Sequence, residues 1–348
     1  MVTIRQIAEA CGVSVASVSK ALNHAPDIGF DTAERIRKTA RKLGYFPNAA
    51  ARSLKTSRSN NIGVLFVDGT ASGLTHEYFA SILNSFKVEA EQLGYDITFI
   101  SQNMGGTSMS YLEHCRYRGC DGVMIASVDF TQPLVAELVT SGIPVVTIDY
   151  LFDNCGAILS DNVQSMSDLV RYVYQKGHRR IAFIHGEDTA VTRNRLASFY
   201  KTCEELGLLV PNEYIIKGIY HDPHSSGAAT RQLLSLKNPP TCIMYPDDFS
   251  YIGGMNEIEQ QGMIIPQDIS VTGYDGVSLG RVLRPKLTTL RQDSDAIGIQ
   301  AARLLVEAIE SPRTYIPKRI VIPGMVWEGD SVKNLIQTKT EVVSTTET

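Results

Sequence analysis

Short apolar runs recur from Ile62 to Asp275 with helical stretches between them, and this alternation confines most of the chain to a layered α/β fold. IGVLFV, YDITFI, GVMIAS and PVVTID form a first series; RIAFIHG, YIIKGI, TCIMYP and ISVTGYD form a second. Runs this short and apolar suit strands buried on both faces, the situation of a parallel sheet covered by helices on both sides. One intervening segment carries the helical period openly: Phe79, Ile82, Leu83, Phe86, Ala90 and Leu93 share a face, and Gly94 ends it. Two such series predict two lobes. At 348 residues and 43% apolar content, the chain has material for that core and for a small additional domain.

The additional domain is expected at the start, where the charge differs. Residues 1–60 hold ten of the 33 Lys/Arg but only Glu9, Asp27, Asp31 and Glu34 of the 37 acids, so a basic head precedes an acidic body. Such a head gathers phosphate by counterion release, while the body discourages indiscriminate sticking to the same polyanion. Thr3 and Gln6 read as a capping box opening a helix that buries Ile4, Ile7 and Ala8. Gly12 allows a tight turn, and Ser14 can cap a second helix with Val18, Ala21 and Leu22 inward. Asp31 and Glu34 read as a second box before a third helix, with Ile36, Ala40 and Leu43 on one face and Gly44 as its stop.

GYFPNAAARSLKTSRS follows. Pro47 stops the third helix, Asn48 can cap another, and Ala49 to Leu54 favours helix but is far shorter than the roughly 12 residues that persist alone in water. Leu54, among Arg52, Lys55 and Arg58, suits a wedge into a minor-groove base step with cations on the flanking phosphates; a flexible basic linker is the alternative.

Other classes find less support. MVTIRQIAEA lacks the pattern of an export signal, and no run of about 18 apolar residues occurs, so a cytoplasmic protein without a membrane segment is expected. The six cysteines are scattered; only Cys115 and Cys120 lie close, without a C-x-x-C or Cys/His cluster, so reduced thiols and no metal site are expected. G-x-S-x-G, H-E-x-x-H and P-loop motifs are absent, His178 and His185 read as surface loop or strand-end residues, and neither catalytic residue nor cofactor is expected.

VTIRQIAEACGVSVASVSKALN together with GYFPNAAARSLKTSRSNNIGV resembles the head and hinge of the lactose-repressor (LacI/GalR) family of bacterial transcription regulators, and the resemblance extends along nearly the whole chain. It implies a helix-turn-helix DNA-binding domain over 1–46, a hinge helix and linker over 47–61, and a periplasmic-binding-protein-like core over 62–334. The implied lobes are interleaved, an N-lobe of 62–159 and 291–322 and a C-lobe of 160–290 and 323–334, so the chain crosses near Ser160, Leu290 and Pro323. Residues 335–348 lack a heptad pattern and read as a frayed tail, which argues against a tetramerising coiled coil.

The family also implies a homodimer on double-stranded operator DNA, the second helix in the major groove and paired hinge helices in the minor groove. Carried over, Ser14, Val15, Ala16, Ser17 and Lys20 lie on the reading helix, Thr3, Asn23 and Tyr45 near phosphates, and Asn48, Ala51, Leu54 and Lys55 in the hinge. Ser17 stands where Thr is usual and Lys20 where Arg is usual, so a planar two-point grip on guanine becomes a single-point one.

In the core, polar residues fall at strand ends, where open parallel sheets place ligands. Asp149, Arg195, Asp247 and Asp275 match family positions that hydrogen-bond an effector, with Tyr78 or Phe79 covering an apolar face and Ser127 as a further candidate. Carboxylates and a guanidinium together suit the hydroxyls of a sugar. The usual Asn-Asp pair reads Asp247-Asp248 here, and an additional carboxylate favours hydroxyl-rich or cationic ligands. Purine-binding members share the Tyr-Phe pair, but an Arg they use upstream corresponds to about Thr189, which ranks purine below sugar. A protein corepressor and, without the head, a sugar-binding transport protein complete the alternatives.

Overall fold

The computed structural model describes residues 2–23, 25–46, 58–69 and 72–336. The hinge candidates Asn48, Ala51, Leu54 and Lys55 lie outside the described residues, as does the tail from 337 onward. The chain divides into two units, Met1–Asn60 and Asn61–Thr348.

In the first unit, α1 spans Ile4–Cys11, and Thr3 caps it in a reciprocal box: Thr3 Oγ1 accepts from Gln6 N at 3.4 Å, and Gln6 Oε1 from Thr3 N at 2.8 Å. Gly12 turns the chain at φ 62°, a left-handed conformation that costs glycine little. Ser14 Oγ accepts from Ser17 N at 3.0 Å and starts α2, Val15–Leu22. The third helix differs from expectation. α3 spans Phe30–Lys42 with Gly29 at its N-cap and no side-chain cap, so Asp31 and Glu34 form no box; Asp31 instead lies in the first turn, where the helix dipole favours a negative charge. Ile7, Ala8, Cys11, Val18, Ala21, Ala33, Ile36 and Ala40 form the core of this unit, with Ile4, Leu22 and Tyr45 packed half-buried against it. Leu43, expected inward, is exposed.

The strands of the second unit are β1 (Asn61–Phe66), β2 (Asp96–Ile100), a small hairpin β3 (Asn103–Met104) and β4 (Thr107–Ser108), β5 (Gly122–Ser127), β6 (Val145–Ile148) and β7 (Gly156–Ser160). They continue with β8 (Ile181–His185), β9 (Ile215–Lys217), β10 (Cys242–Met244), β11 (Ser270–Asp275), β12 (Thr288–Arg291), β13 (Arg319–Ile322) and β14 (Met325–Trp327). Two six-stranded sheets result, ordered β13-β7-β6-β5-β1-β2 and β14-β12-β11-β10-β8-β9. The chain passes between them after β7, after β12, and between β13 and β14. Every pairing within the two sheets is parallel except β12 with β14. β14 arrives from the other sheet, so no crossover helix fixes its direction.

The helices are α4 (Glu77–Gln92), α5 (Tyr111–Arg118), α6 (Pro133–Thr140), α7 (Asn162–Gln175), α8 (Ala190–Glu205), α9 (Pro223–Leu234), α10 (Tyr251–Gln260), α11 (Leu279–Val282) and α12 (Ser294–Glu310). Each sheet has an apolar cluster on either face: α4 and α12 cover one side of the first sheet and α5 and α6 the other, while α7 and α8 oppose α9 and α10 across the second. α4 and α12 pack closely because residue 298 is glycine: a Cβ there would meet Ser85 Oγ at 2.1 Å and the Ile82 carbonyl oxygen at 2.4 Å.

Two further expectations change. His178 is buried, with Nδ1 against Thr241 Oγ1 at 3.0 Å and Nε2 against the Lys333 carbonyl at 3.1 Å, so it joins the chain end to the second sheet instead of lying on a surface loop. The stretch read as a frayed tail begins ordered, Leu335 N donating to the Lys176 carbonyl at 2.8 Å. Among the described residues no helix is long and apolar enough to cross a membrane.

Candidate functional site

Two surfaces are candidates, one in each unit. On the first, α2 turns Val18 and Ala21 inward, which leaves Val15, Ala16 and Lys20 exposed and Ser17 half-buried at its edge. The Ser14 and Ser17 hydroxyls hydrogen-bond at 2.9 Å. Lys20 forms an ion pair with Asp27, whose carboxyl that hydrogen bond holds below the ordinary value; both side chains are exposed, so the pair is easily exchanged for another anion. Thr3 is engaged in capping, Asn23 Nδ2 donates to the Ser19 carbonyl at 2.8 Å, and Tyr45 packs against the small core.

The second surface lies at the carboxyl ends of the strands. Asp149 follows β6 and Asp275 ends β11; both have positive φ, 54° and 99°, a conformation side chains rarely adopt and one that concentrates at binding sites. Asp149 accepts from Ser160 N at 2.6 Å and Ser160 Oγ at 3.0 Å, and Ser160 Oγ lies 3.3 Å from the Tyr78 hydroxyl. Asp275 Oδ1 accepts from Gln292 Nε2 at 2.7 Å, while Gln292 Oε1 is buried with no partner among the described residues. Arg195, from α8, is only 4% exposed: Nε donates to Asn162 Oδ1 at 2.7 Å, Nη1 to the Pro246 carbonyl at 3.1 Å, and the guanidinium lies 3.5 Å from the centre of the Tyr274 ring. A charge this deep is tolerated because hydrogen bonds and π-faces replace its water.

The electrostatics tie these residues together. Burial raises the Asp149 carboxyl, against the Ser160 hydrogen bonds and Arg195. Burial also pushes Asp275 up to about 7, Arg195 pulling down while Asp247 and Asp149 push up. Burial tends to lower Arg195, but Tyr274, Tyr220, Asp275 and Asp149 outweigh it and keep the guanidinium charged. Burial raises the Tyr78 phenol, with Asp149 and Asp275 adding to it. Two carboxylates, Asp149 and Asp275, thus act on one cation that, among the described residues, forms an ion pair with neither.

Asp247 is adjacent but already occupied. It accepts from Ser250 N at 2.7 Å, Ser250 Oγ at 2.7 Å and His221 N at 2.8 Å, so the carboxylate that replaces the family's Asn secures a turn more than it opens a contact. Asp248 faces Thr289 Oγ1 at 2.6 Å and Val277 N at 2.8 Å, buried with its carboxyl well above the usual range because of that burial. Phe79 packs against Phe66 and the edge of His76. Ser127 is half-buried at the end of β5, its carbonyl accepting from Val67 N at 2.8 Å. Thr189 caps α8 and brings no cation there.

Sequence reasoning missed several members. His76, His221 and Phe249 stack in a column with 4.0 Å between successive rings, and it joins the lobes: His76 precedes α4 on the first, and His221 and Phe249 come from the second. His76 is buried, and its Nδ1 has no hydrogen-bond partner among the described residues; that burial, then His221, lowers its imidazole. Ser278 N donates to Glu77 Oε1 at 2.6 Å, a second link between the lobes. Ser160 ends β7 and Gln292 follows β12, strands too short and too mixed in composition to stand out as apolar runs. Tyr220, whose hydroxyl lies 2.9 Å from Thr192 Oγ1, gave no signal beyond being aromatic. A cavity of about 270 Å³ adjoins the cluster, shares Tyr78, Asp275 and Gln292 with it, and is closed on its far side by Arg291 and Trp327.

Residues 3–48 match the model of the bacterial regulatory proteins of the lacI family, and residues 170–332 that of the periplasmic binding protein-like domain. The chain is 30% identical over 340 residues to the HTH-type transcriptional repressor PurR of Escherichia coli O1:K1, covering 95% of this chain and 97% of that one. Its fold is similar to the Lac repressor dimer bound to operator and the anti-inducer ONPF, with TM-score 0.78 and 23% identity over 95% of this chain and 99% of the other. It is also similar to the transcriptional regulator CelR in complex with cellobiose, with TM-score 0.69 and 23% identity over 95% and 100%.

Proposed function

Because this chain belongs to the lacI family of bacterial regulatory proteins, we propose that its DNA binding is controlled by a hydroxyl-rich small molecule, most simply a sugar, taken up between the two lobes of the core. The observation that carries the ligand class is the arrangement at Asp149, Asp275 and Arg195. Half-buried carboxylates raised by desolvation, an acceptor at Gln292 Oε1 without a partner among the described residues, and one guanidinium match the donors and acceptors that a polyol supplies at once. An anionic ligand would add a charge to carboxylates already crowded. Cellobiose in the CelR complex is a ligand of this class.

On the DNA side, the same reading assigns Ser14, Val15, Ala16, Ser17 and Lys20 to base edges, Thr3, Asn23 and Tyr45 to phosphates, and Asn48, Ala51, Leu54 and Lys55 to the minor groove of an operator bound by a homodimer; the exposed face of α2 supports it. Effector binding shifts the population of lobe arrangements, which changes whether the paired hinges form; repression by blocking polymerase is the simplest outcome. The relatives it matches are transcriptional regulators, which supports reading this chain as a regulator.

A purine-like ligand is the second reading, favoured by Tyr78 beside Phe79 and by the His76, His221 and Phe249 column, which offers planar faces. A thermal-shift screen of monosaccharides, oligosaccharides and nucleobases separates the two. A ligand at a hundred times its Kd stabilises by about 2.7 kcal/mol, and the shift is expected for a saccharide and lost in Asp149→Ala. A nucleobase shift without any saccharide shift reverses the order of the readings.

A further inference from the structure

The end of α5 holds two thiols against each other by backbone geometry. Gly119 turns left-handed at φ 62°, its N–H donates to the Arg116 carbonyl at 3.1 Å, and Cys120 N donates to the Cys115 carbonyl at 2.9 Å. This is the doubly bonded helix end in which the residue after the glycine packs against the one five positions before it. In the run Cys115-Arg-Tyr-Arg-Gly-Cys120 both of those positions are cysteine. The thiols hydrogen-bond, with Cys115 fully buried and Cys120 half-buried. The other four cysteines are all buried, none close to another in sequence.

We propose that Cys115 and Cys120 form a reversible redox pair, closed to a disulfide by hydroperoxides, with Cys120 as the attacking and Cys115 as the resolving sulfur. The Cys120 thiolate attacks the peroxide: a sulfur–oxygen bond forms, the oxygen–oxygen bond breaks, and the departing hydroxide takes a proton to leave as water or alcohol. The Cys115 sulfur then displaces the sulfenic oxygen from Cys120; its own proton, already directed at Cys120, goes to that oxygen, and a second water leaves. Two thiols lose two electrons and the peroxide gains them. The roles follow from the surroundings. The hydrogen bond from Cys115 lowers the Cys120 thiol, the nearby Arg118 adds to that, and the same bond with burial raises Cys115. Only Cys120 has both the access and the anionic character that attack needs.

The pair also lies at the root of the core. Asn61, the first residue of β1, donates through Nδ2 to the Arg118 carbonyl at 3.2 Å and to Cys120 Sγ at 3.7 Å, and its carbonyl accepts from Asp121 N at 2.8 Å. A cross-link therefore stiffens the corner on which the first core strand is anchored.

The test is non-reducing peptide mapping of the folded full-length chain after a small molar excess of hydrogen peroxide. Trypsin with chymotrypsin cuts after Arg116, Arg118, Phe130 and Tyr150, so Cys115, Cys120 and Cys155 fall on separate peptides and a Cys115–Cys120 link appears as two peptides that dithiothreitol separates. The link is expected at least about tenfold faster than oxidation of any other cysteine, and in Cys115→Ser the Cys120 sulfenic acid is expected to persist and be trapped by dimedone. Recovery of both thiols free in the treated wild-type chain, or Cys120 oxidising no faster than Cys155, overturns the proposal; so does a link between chains in place of one within the chain.

Discussion

The candidate surfaces of the two units both carry charge, but they hold it under opposite conditions. On α2 the cation is exposed: Lys20 pairs with an exposed Asp27, a pair of the kind worth at most about 1 kcal/mol. In the core, Arg195 is buried and Asp149 and Asp275 are half-buried beside it, held by hydrogen bonds to Asn162, Pro246, Ser160 and Gln292, and the raised carboxyls record desolvation left uncompensated. Exposed charge steers and releases quickly and can be altered without cost to the fold, whereas buried charge binds stability and ligand response into one quantity.

The comparison breaks first at Arg195. Arg195→Ala leaves buried carboxylates without their cation and is expected to cost about 3–5 kcal/mol, seen in chemical denaturation, together with loss of the effector response. A variant of wild-type stability that still responds would place the site elsewhere. Asp275 comes next. It sits at about 7 in the folded chain against 3.8 ordinarily, so its favourable contribution is present below 3.8 and is lost as pH rises through about 7. Asp275→Asn should therefore stabilise the effector-free chain by about 3 kcal/mol more at pH 8 than at pH 5, read as a melting-temperature difference. His76 and His178, both lowered chiefly by burial, act with the opposite sign. Their contribution is present above 6.5 and fades as pH falls below it, so between 3.8 and 6.5 the two kinds of group oppose each other and neither contribution is complete.

The smaller effects fall on the head. Thr3→Ala removes the capping box and should cost the first unit about 1 kcal/mol, with the second unit's transition unmoved in a calorimetric scan. Lys20→Ala should leave both transitions in place and reduce the salt dependence of DNA binding by about one contact; an unchanged slope removes Lys20 from the interface.

The same contrast explains what the amino-acid pattern revealed. Head helices are local, so Thr3, Gln6, Ser14 and Gly12 declared their starts and turns; Asp31 misled because a carboxylate in a first turn and one at a cap look alike until Gly29 is seen in place. The eight apolar runs all became strands, since burial on both faces leaves a composition that reads directly. β7, β12, β13 and β14 did not read so: the first three are short and include polar residues, and β14 is only Met-Val-Trp; with two of them went Ser160 and Gln292. Asp149, Arg195 and Asp275 were found through the family resemblance and their places at strand ends. The His76, His221 and Phe249 column was hidden because its rings come from segments about 30 to 170 positions apart, brought together only by the folding of both lobes.

The measurement that bears most directly on this account is the affinity of the full-length chain for a duplex recovered by in vitro selection, titrated by fluorescence anisotropy with and without the saccharide that most raises the melting temperature. The wild-type Kd is expected to move at least about tenfold, the size of an ordinary coupling energy, and that of Asp149→Ala to stay where it is. Equal shifts in the two proteins, or none in either, would contradict control of the head by the buried charges of the cleft.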